Sequence, residues 1–541
     1  MATAWQTFPI EFRGGLISNM SLLQQGINAV GSARILQNFE VNKEGGYSKI
    51  RGYTTFSNTP IPGDDVVLGL KVVSGSRYIA ARKVDATAVA AYPSDLVAGD
   101  IGKTAYYYST GSDWNFTGLS ASANGGKVRH ATYNFDGDEK VVFVDGTNYP
   151  SIYNTVGNTQ TFLSSASPKI NVDVEGADYV TIFKRTGFYA KGNTLYFAAP
   201  FTVDNFSAAD GAGVISLAYN ITGLAVFREQ LIVFTTDTIS RLVGNTSNDF
   251  QLQPITEKIG CINGDTIQEV GGDIMYLAPD GIRQLSSTDR IGDFALDVAS
   301  DKIKEDFNDF IGGTSVFSSL IIREKSQYRI FSYKGSQLAI SAKGLIATKV
   351  TPQGSSGIEW STIKGIKAHV ADSTYSGTSE AIGFANNDGY AYKLEVGNIF
   401  DYGDRDPDNI EAIFESSYMP ITDPQVRKTF YKAVWYIDPL GSIDLDFNVK
   451  FDFESKSRNN VIQPDSINIV NASGSVAFFG AGALFGTGPS AARFGGQIER
   501  IYPTNIIGSG RTIALRIADN SDNSTFTLDT AVLEFKQNDR Q

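Results

Sequence analysis

The chain of 541 residues contains one cysteine and two histidines. A single thiol, Cys261, excludes an internal disulfide, so the fold is expected not to depend on oxidation. A lone cysteine reads first as a small buried apolar residue. His130 and His369 are far apart and in no metal-ligand spacing, and HExxH, CxxC and G-x-S-x-G are all missing. Gly102-Lys103-Thr104 has the look of a phosphate-loop ending, but the glycine such a loop needs five residues earlier is Val97. No stretch approaches 18 uninterrupted apolar residues, and the start, MATAWQTFPIEF, has no basic region followed by an apolar one. These absences set aside a membrane-spanning helix and a secretory leader, and imply synthesis in a cytoplasm with no stable membrane insertion. No Lys/Arg-rich run stands out, which speaks against a protein that grips phosphates. Proline is sparse at 17 residues, whereas glycine reaches 54.

What is present points to strands. Tyr (25) and Phe (34) are abundant, the residues that cross-strand pairs favour alongside Val, Ile and Thr. The 46 basic and 58 acidic residues leave a net charge of −12. Such a charge serves solubility, and in a ring of subunits it would let DNA slide past without sticking.

Ala225–Leu242 (AVFREQLIVFTTDTISRL) and the segment 268–285 (QEVGGDIMYLAPDGIRQL) share one plan. Leu231 answers to Ile274, Phe234 to Leu277, Asp237 to Asp280, Ile239 to Ile282 and Leu242 to Leu285, a constant offset of 43 residues. A strand-only period of roughly 40–50 residues is that of one propeller blade, which must stack on neighbours to bury its faces. Apolar strand centres recur at Tyr78-Ile79, Val141 to Val144, Leu195 to Phe197, Leu231 to Phe234, Ile274 to Leu277, Tyr328 to Phe331 and Ile382 to Phe384. These give about seven blades, with Thr104 to Tyr108 a possible eighth. Asp145-Gly146, Lys191-Gly192-Asn193, Asp280-Gly281, Lys334-Gly335 and Asp388-Gly389 supply hairpin turns of positive φ. Ala295 to Phe310 reads as a helical excursion with an apolar face suited to packing on another subunit, and a short helix is expected near Val30 to Gln37.

Residues 401–408 form a charged connector. Beyond it, strands are expected at Ala412 to Tyr418, Phe430 to Ile437, Ile443 to Phe453, Ile513 to Ile517 and Phe526 to Phe535. Ile443, Leu445, Phe447, Val449, Phe451 and Phe453 alternate with polar residues, the period of a half-buried antiparallel strand. The fold class is therefore all-β. Residues 1–60 form an extended docking segment, 61–400 a β-propeller and 401–541 a C-terminal antiparallel β-sandwich. Phe479-Gly480, Phe485-Gly486 and Phe494-Gly495 sit in a Gly/Ala-rich run that either docks on a neighbour or folds back. Asp136/Asp138 and Asp404/Asp406/Asp408 read as solvated turns. The latter lack the glycine and distal glutamate of a calcium loop, and a glycosidase pair depends on spatial placement. No catalytic, cofactor-binding or metal-ligating residue is assigned, and no enzyme activity is expected.

Phe12-Arg13-Gly14-Gly15-Leu16, then Ala33 to Glu40 (ARILQNFE), then Gly45 to Tyr53 (GGYSKIRGY) resemble the opening of tail hub or nozzle proteins of short-tailed bacteriophages. The segment Gly223 to Leu285 and the ending, with Lys450 to Glu454 and Ile513 to Ile517, are similar to the same group. The family's adjacent Lys-Arg is here Lys49-Ile50-Arg51, which keeps its basic character. The resemblance implies a structural virion protein of the tail, forming a homohexameric ring below the portal and adaptor. Such a ring conducts and gates DNA during ejection, without sequence-specific binding, and attaches fibre or needle proteins. The alternatives are a polysaccharide-degrading or a host-glycan-binding tail protein.

Overall fold

A computed structural model describes residues 5–538 apart from 74–76, 136, 164–173, 245, 247–248, 286–297, 315, 351–356, 454–462, 464–466 and 470–499. Seven antiparallel sheets follow one another along the chain. Blade 1 is Asp64–Val73, Arg77–Lys83, Thr104–Ser109 and Asn115–Ser120. Blade 2 is Arg129–Tyr133, Lys140–Val144, Ser151–Asn154 and Thr159–Phe162, and blade 3 is Tyr179–Phe183, Thr186–Lys191, Thr194–Phe197 and Gly213–Ser216. Blade 4 comprises Ile221–Phe227, Gln230–Thr235, Ile239–Val243 and Gln251–Thr256, and blade 5 Gln268–Val270, Asp273–Ala278 and Gly281–Gln284. Blade 6 is Val316–Ile322, Gln327–Tyr333, Lys343–Val350 and Gly357–Lys364. Blade 7 takes Val370–Ser376, Ser379–Ala385 and Ala391–Leu394 from late in the chain and Tyr53–Thr55 from its beginning.

That last pairing closes the propeller. Tyr53 opposes Leu394, and its ring lies 5.0 Å from Phe400 and 5.1 Å from Tyr392. Gly52 makes the approach possible, since a Cβ there would stand 1.8 Å from the Ile399 carbonyl oxygen. Blades 7 and 1 also join across the seam, where Val72 N–H donates to Asp372 (2.8 Å), and Val128 N–H, ahead of blade 2, donates to the Leu68 carbonyl of blade 1 (2.8 Å). The structure is thus a seven-bladed β-propeller. Six of the expected strand centres are second strands of their blades, and Leu195 to Phe197 is a third strand. The possible eighth unit, Thr104 to Tyr108, is the third strand of blade 1. The repeat is one of pairing as well as spelling: Phe234 opposes Ile239 in blade 4 as Leu277 opposes Ile282 in blade 5. Gly146, Gly192, Gly281 and Gly389 adopt the positive φ expected of them, and Gly335 does not.

The C-terminal β-sandwich is built partly from the N-terminus. One sheet runs Phe39–Val41, Tyr47–Lys49, Phe526–Gln537, Lys428–Pro439, Ile501–Gly510, with Gln6–Glu11 alongside Phe526–Gln537. The other runs Ala33–Gln37, Ala412–Ser416, Ile513–Asp519, Ile443–Phe451, Ile467–Ile469, and joins blade 6 through Gln37 and Thr362. The segment 1–60, expected to be an extended docking segment, thus supplies Gln6–Glu11, Ala33–Gln37, Phe39–Val41 and Tyr47–Lys49 as paired strands of the sandwich. The helix expected near Val30 to Gln37 is corrected: Leu22–Asn28 is helical, and Ala33–Gln37 is a strand. Pairing with Ala412–Ser416 overrides the local helical preference there.

The excursion at Ala295 to Phe310 is described from residue 298 and holds a helix at Lys304–Ile311. Its Phe307 and Phe310 are buried in a core shared by blades 5 and 6 and the sandwich, so that face packs within its own chain rather than on another subunit. The same core holds Phe12, Phe414, Trp435 and Phe447, with Phe12 and Phe414 edge to face at 4.9 Å. One continuous core therefore couples propeller to sandwich.

Candidate functional site

Three places gather polar or exposed aromatic chemistry. The first is the propeller axis, where a cavity of about 190 Å³ is lined from the innermost strand or preceding loop of every blade. Arg129 of blade 2 reaches across it to Asp265, ahead of blade 5, with Nε–Oδ1 at 2.7 Å and Nη2–Oδ2 at 3.0 Å. Lys127 stands 3.2 Å from the same carboxylate and donates to the Phe317 carbonyl of blade 6 at 2.6 Å. Lys71 of blade 1 pairs with Asp372 of blade 7 at 3.0 Å, and His130 Nε2 lies 4.0 Å from that carboxylate. Burial alone would raise the Asp265 carboxyl, but Lys127 and Arg129 hold it well below the carboxylate range. Asp372 is held low in the same way by Lys71. Burial pushes the His130 imidazole down to about 4 against the pull of Asp372. The cavity is small, and its side chains tie opposite blades together. The axis of one propeller is therefore no conduit for a nucleic acid; it is a crossed lock.

The other singled-out residues fall elsewhere. His369 is buried, its Nδ1 lies 2.8 Å from the Val67 carbonyl oxygen, and burial pushes it down to about 4. Cys261 is fully buried, and burial pushes its thiol up to about 12, the inert apolar placement expected of it. Lys103 pairs with Asp100 at 3.0 Å, and Thr104 begins a blade strand. Asp408 pairs with Arg405 at 3.0 Å on the connector. Asp136 and the three Phe-Gly pairs lie outside the described residues. Asp138 is exposed.

A second buried cluster clamps the N-terminal segment onto the propeller. Glu40 accepts from Lys325 at 2.7 Å and from Arg329 at 3.0 Å, and the same two cations reach Glu395 at 2.5 and 2.7 Å. Two carboxylates and two cations so interlocked are a fastening, with the Arg329 side chain wholly buried.

The third place is the outer sheet of the sandwich. Trp5, Tyr431, Tyr436, Ile501 and Ile507 are exposed on it, Tyr436 directly opposite Ile501 and Trp5 edge-on to Tyr431 at 4.0 Å. Ile501–Gly510 is the last strand of that sheet among the described strands, and at Ile507 its N–H donates to the Gln463 side-chain oxygen at 2.9 Å while its carbonyl accepts from the Gln463 amide at 3.2 Å. A groove of about 1160 Å³ at one end is lined by Arg427, Arg511, Lys536 and Tyr431. Sequence reading missed the axial set because its cations and the carboxylates they pair with lie on different blades. Its faint signal was charge inside otherwise apolar first strands, as at Lys71 and Arg129.

No family model matches the chain, and no curated protein matches it. Among solved structures, that of U3-55K is 10% identical, covering 62% of this chain and 100% of the other with a TM-score of 0.36. The WD40 repeats of RRP9 are 9% identical, covering 62% and 98% with a TM-score of 0.37. PorZ, a surface component of the type-IX secretion system of Porphyromonas gingivalis, is 12% identical, covering 62% and 38% with a TM-score of 0.36.

Proposed function

We propose that this chain is a non-catalytic structural subunit of a short-tailed bacteriophage tail, assembling into a homohexameric hub or nozzle ring. The ring encloses the path of the genome, gates it before ejection, and carries adaptor, fibre or needle proteins on its rim. The observation that carries this reading is the outer sandwich sheet, where exposed aromatic and aliphatic side chains gather on and beside its last described strand. An exposed apolar patch of this kind marks an interaction surface. A contact between unlike surfaces repeats around a ring until it closes. The ion-paired axis suits a rigid building part, and a path for DNA between subunits rather than through a blade ring accords with it. The net charge of −12, multiplied around the ring, supports passage without adhesion.

The test is native mass spectrometry of the full chain beside the same measurement on Tyr436→Glu/Ile507→Asp. A sixfold particle in the parent that falls to monomer in the variant supports the proposal. A parent that stays monomeric at high concentration and is missing from purified virions overturns it.

A further inference from the structure

We propose that the cleft between blades 2 and 3 binds a neutral carbohydrate, with the Phe201 ring as its stacking platform. This site is separate from the assembly surface and does not depend on it. The segment from Ala199 to Thr202 is a tight turn closed by Thr202 N–H donating to the Ala199 carbonyl at 3.1 Å. Pro200 occupies its second position and Phe201, at φ +60°, its third. That third position favours glycine, because any Cβ there crowds the backbone. Phe201 is nevertheless 60% exposed, so no burial within this chain offsets the conformation. A large apolar ring held at a strained, solvent-facing position marks a contact made with something else. Arg185 stands 5.6 Å from the ring centroid, and the ring also lines a cleft of about 310 Å³. That volume lies at the lower end of small-ligand sites.

The floor of the cleft is blade 2. Lys140, Asn154 and Thr159 stand abreast on three adjacent strands, Lys140 opposite Asn154 and Asn154 opposite Thr159, with Thr161 on the same strand as Thr159. Asp204 from the blade 3 loop completes the wall. Among the described lining residues one cation and one anion balance, and the remaining polar groups are an amide and hydroxyls. A charged ligand would leave one of the two ionised groups opposed. A sugar offers hydroxyls to the amide, hydroxyl and carboxylate groups and an apolar C–H face to the ring.

Saturation-transfer NMR on the full chain tests this, with a mixture of maltotriose, cellotriose, chitotriose and lactose as the neutral probe and sialyllactose as the acidic one. The expected result is transfer to at least one neutral sugar, weakened about tenfold or more in Phe201→Gly and in Asp204→Ala. The Phe201→Gly chain should melt at or above the parent temperature and keep its oligomeric state, which separates loss of the site from loss of fold or of assembly. Transfer to none of the neutral sugars, transfer to sialyllactose alone, or transfer unchanged in both variants overturns the proposal.

Discussion

Arg129 and Asp265 meet as a two-pronged ion pair across the propeller axis, joining blade 2 to the loop before blade 5, at 2.7 and 3.0 Å. Lys127 shares the same carboxylate. Removing the acid leaves two cations partly buried and uncompensated. Asp265→Ala is expected to cost roughly 3–5 kcal/mol in chemical unfolding, whereas the surface change Asp138→Ala should fall within about 0.5 kcal/mol. An equal cost for both would mean the axial pair holds nothing together.

The two histidines set an acid limit. Each has a folded-state value near 4 through burial, below the unfolded value of about 6.5. Folding therefore favours the neutral ring. The contribution is complete above pH ~6.5 and is lost as pH falls from there through about 4, where the unfolded chain binds more protons. The loss over that whole range should be of the order of 3 kcal/mol per histidine. Below about pH 4 Asp265 and Asp372, held low by their cations, add a further loss. Urea midpoints between pH 7.5 and 4.5 should show a slope that shrinks in His369→Gln. An unchanged slope would assign the sensitivity elsewhere.

The propeller was legible because its evidence is local. Leu231 to Leu242 and Ile274 to Leu285 spell out one hairpin twice, and apolar second strands such as Tyr328 to Phe331 announce six of the seven blades. The alternation from Ile443 to Phe451 did the same for the sandwich. What stayed hidden depends on pairing across long separations. Ala33–Gln37 is a strand because Ala412–Ser416 lies beside it, and nothing within residues 28–40 says so. The axial set is hidden for the same reason, since Lys71 finds Asp372 only once the ring closes.

The repeated hairpin contains its own comparison. Blade 5 turns from its first to its second strand through Gly271-Gly272, at φ +55° and +78°. Blade 4 makes the equivalent turn through Arg228-Glu229, at φ +47° and +59°. Two side-chain-bearing residues in the left-handed region cost about 1 kcal/mol each, and Asn-Gly relieves most of it. Arg228→Asn/Glu229→Gly is expected to stabilise the chain by roughly 1 kcal/mol, less any loss from the Arg228 contact with the Gly272 carbonyl. A differential scan giving a lower melting temperature would show that contact to outweigh the turn.

Lys49 and Asp519 test the fastening of the N-terminal segment to the sandwich. Their side chains are wholly buried and meet at 2.8 Å, and Lys49 also donates to the Ser521 carbonyl. Lys49→Met strands the carboxylate and is expected to cost roughly 3–5 kcal/mol, while Lys49→Met/Asp519→Leu should recover most of that loss because an apolar pair removes the desolvation of both charges. The recovery cannot be complete, since Asp519 also accepts from the Ser521 N–H and hydroxyl, which the double change leaves without that partner. If the pair only pins the first fifty residues, limited proteolysis should cut ahead of Tyr53 in the single variant and spare the double. Cleavage ahead of Tyr53 in neither variant, with stability lost all the same, would instead place the effect in the sandwich core.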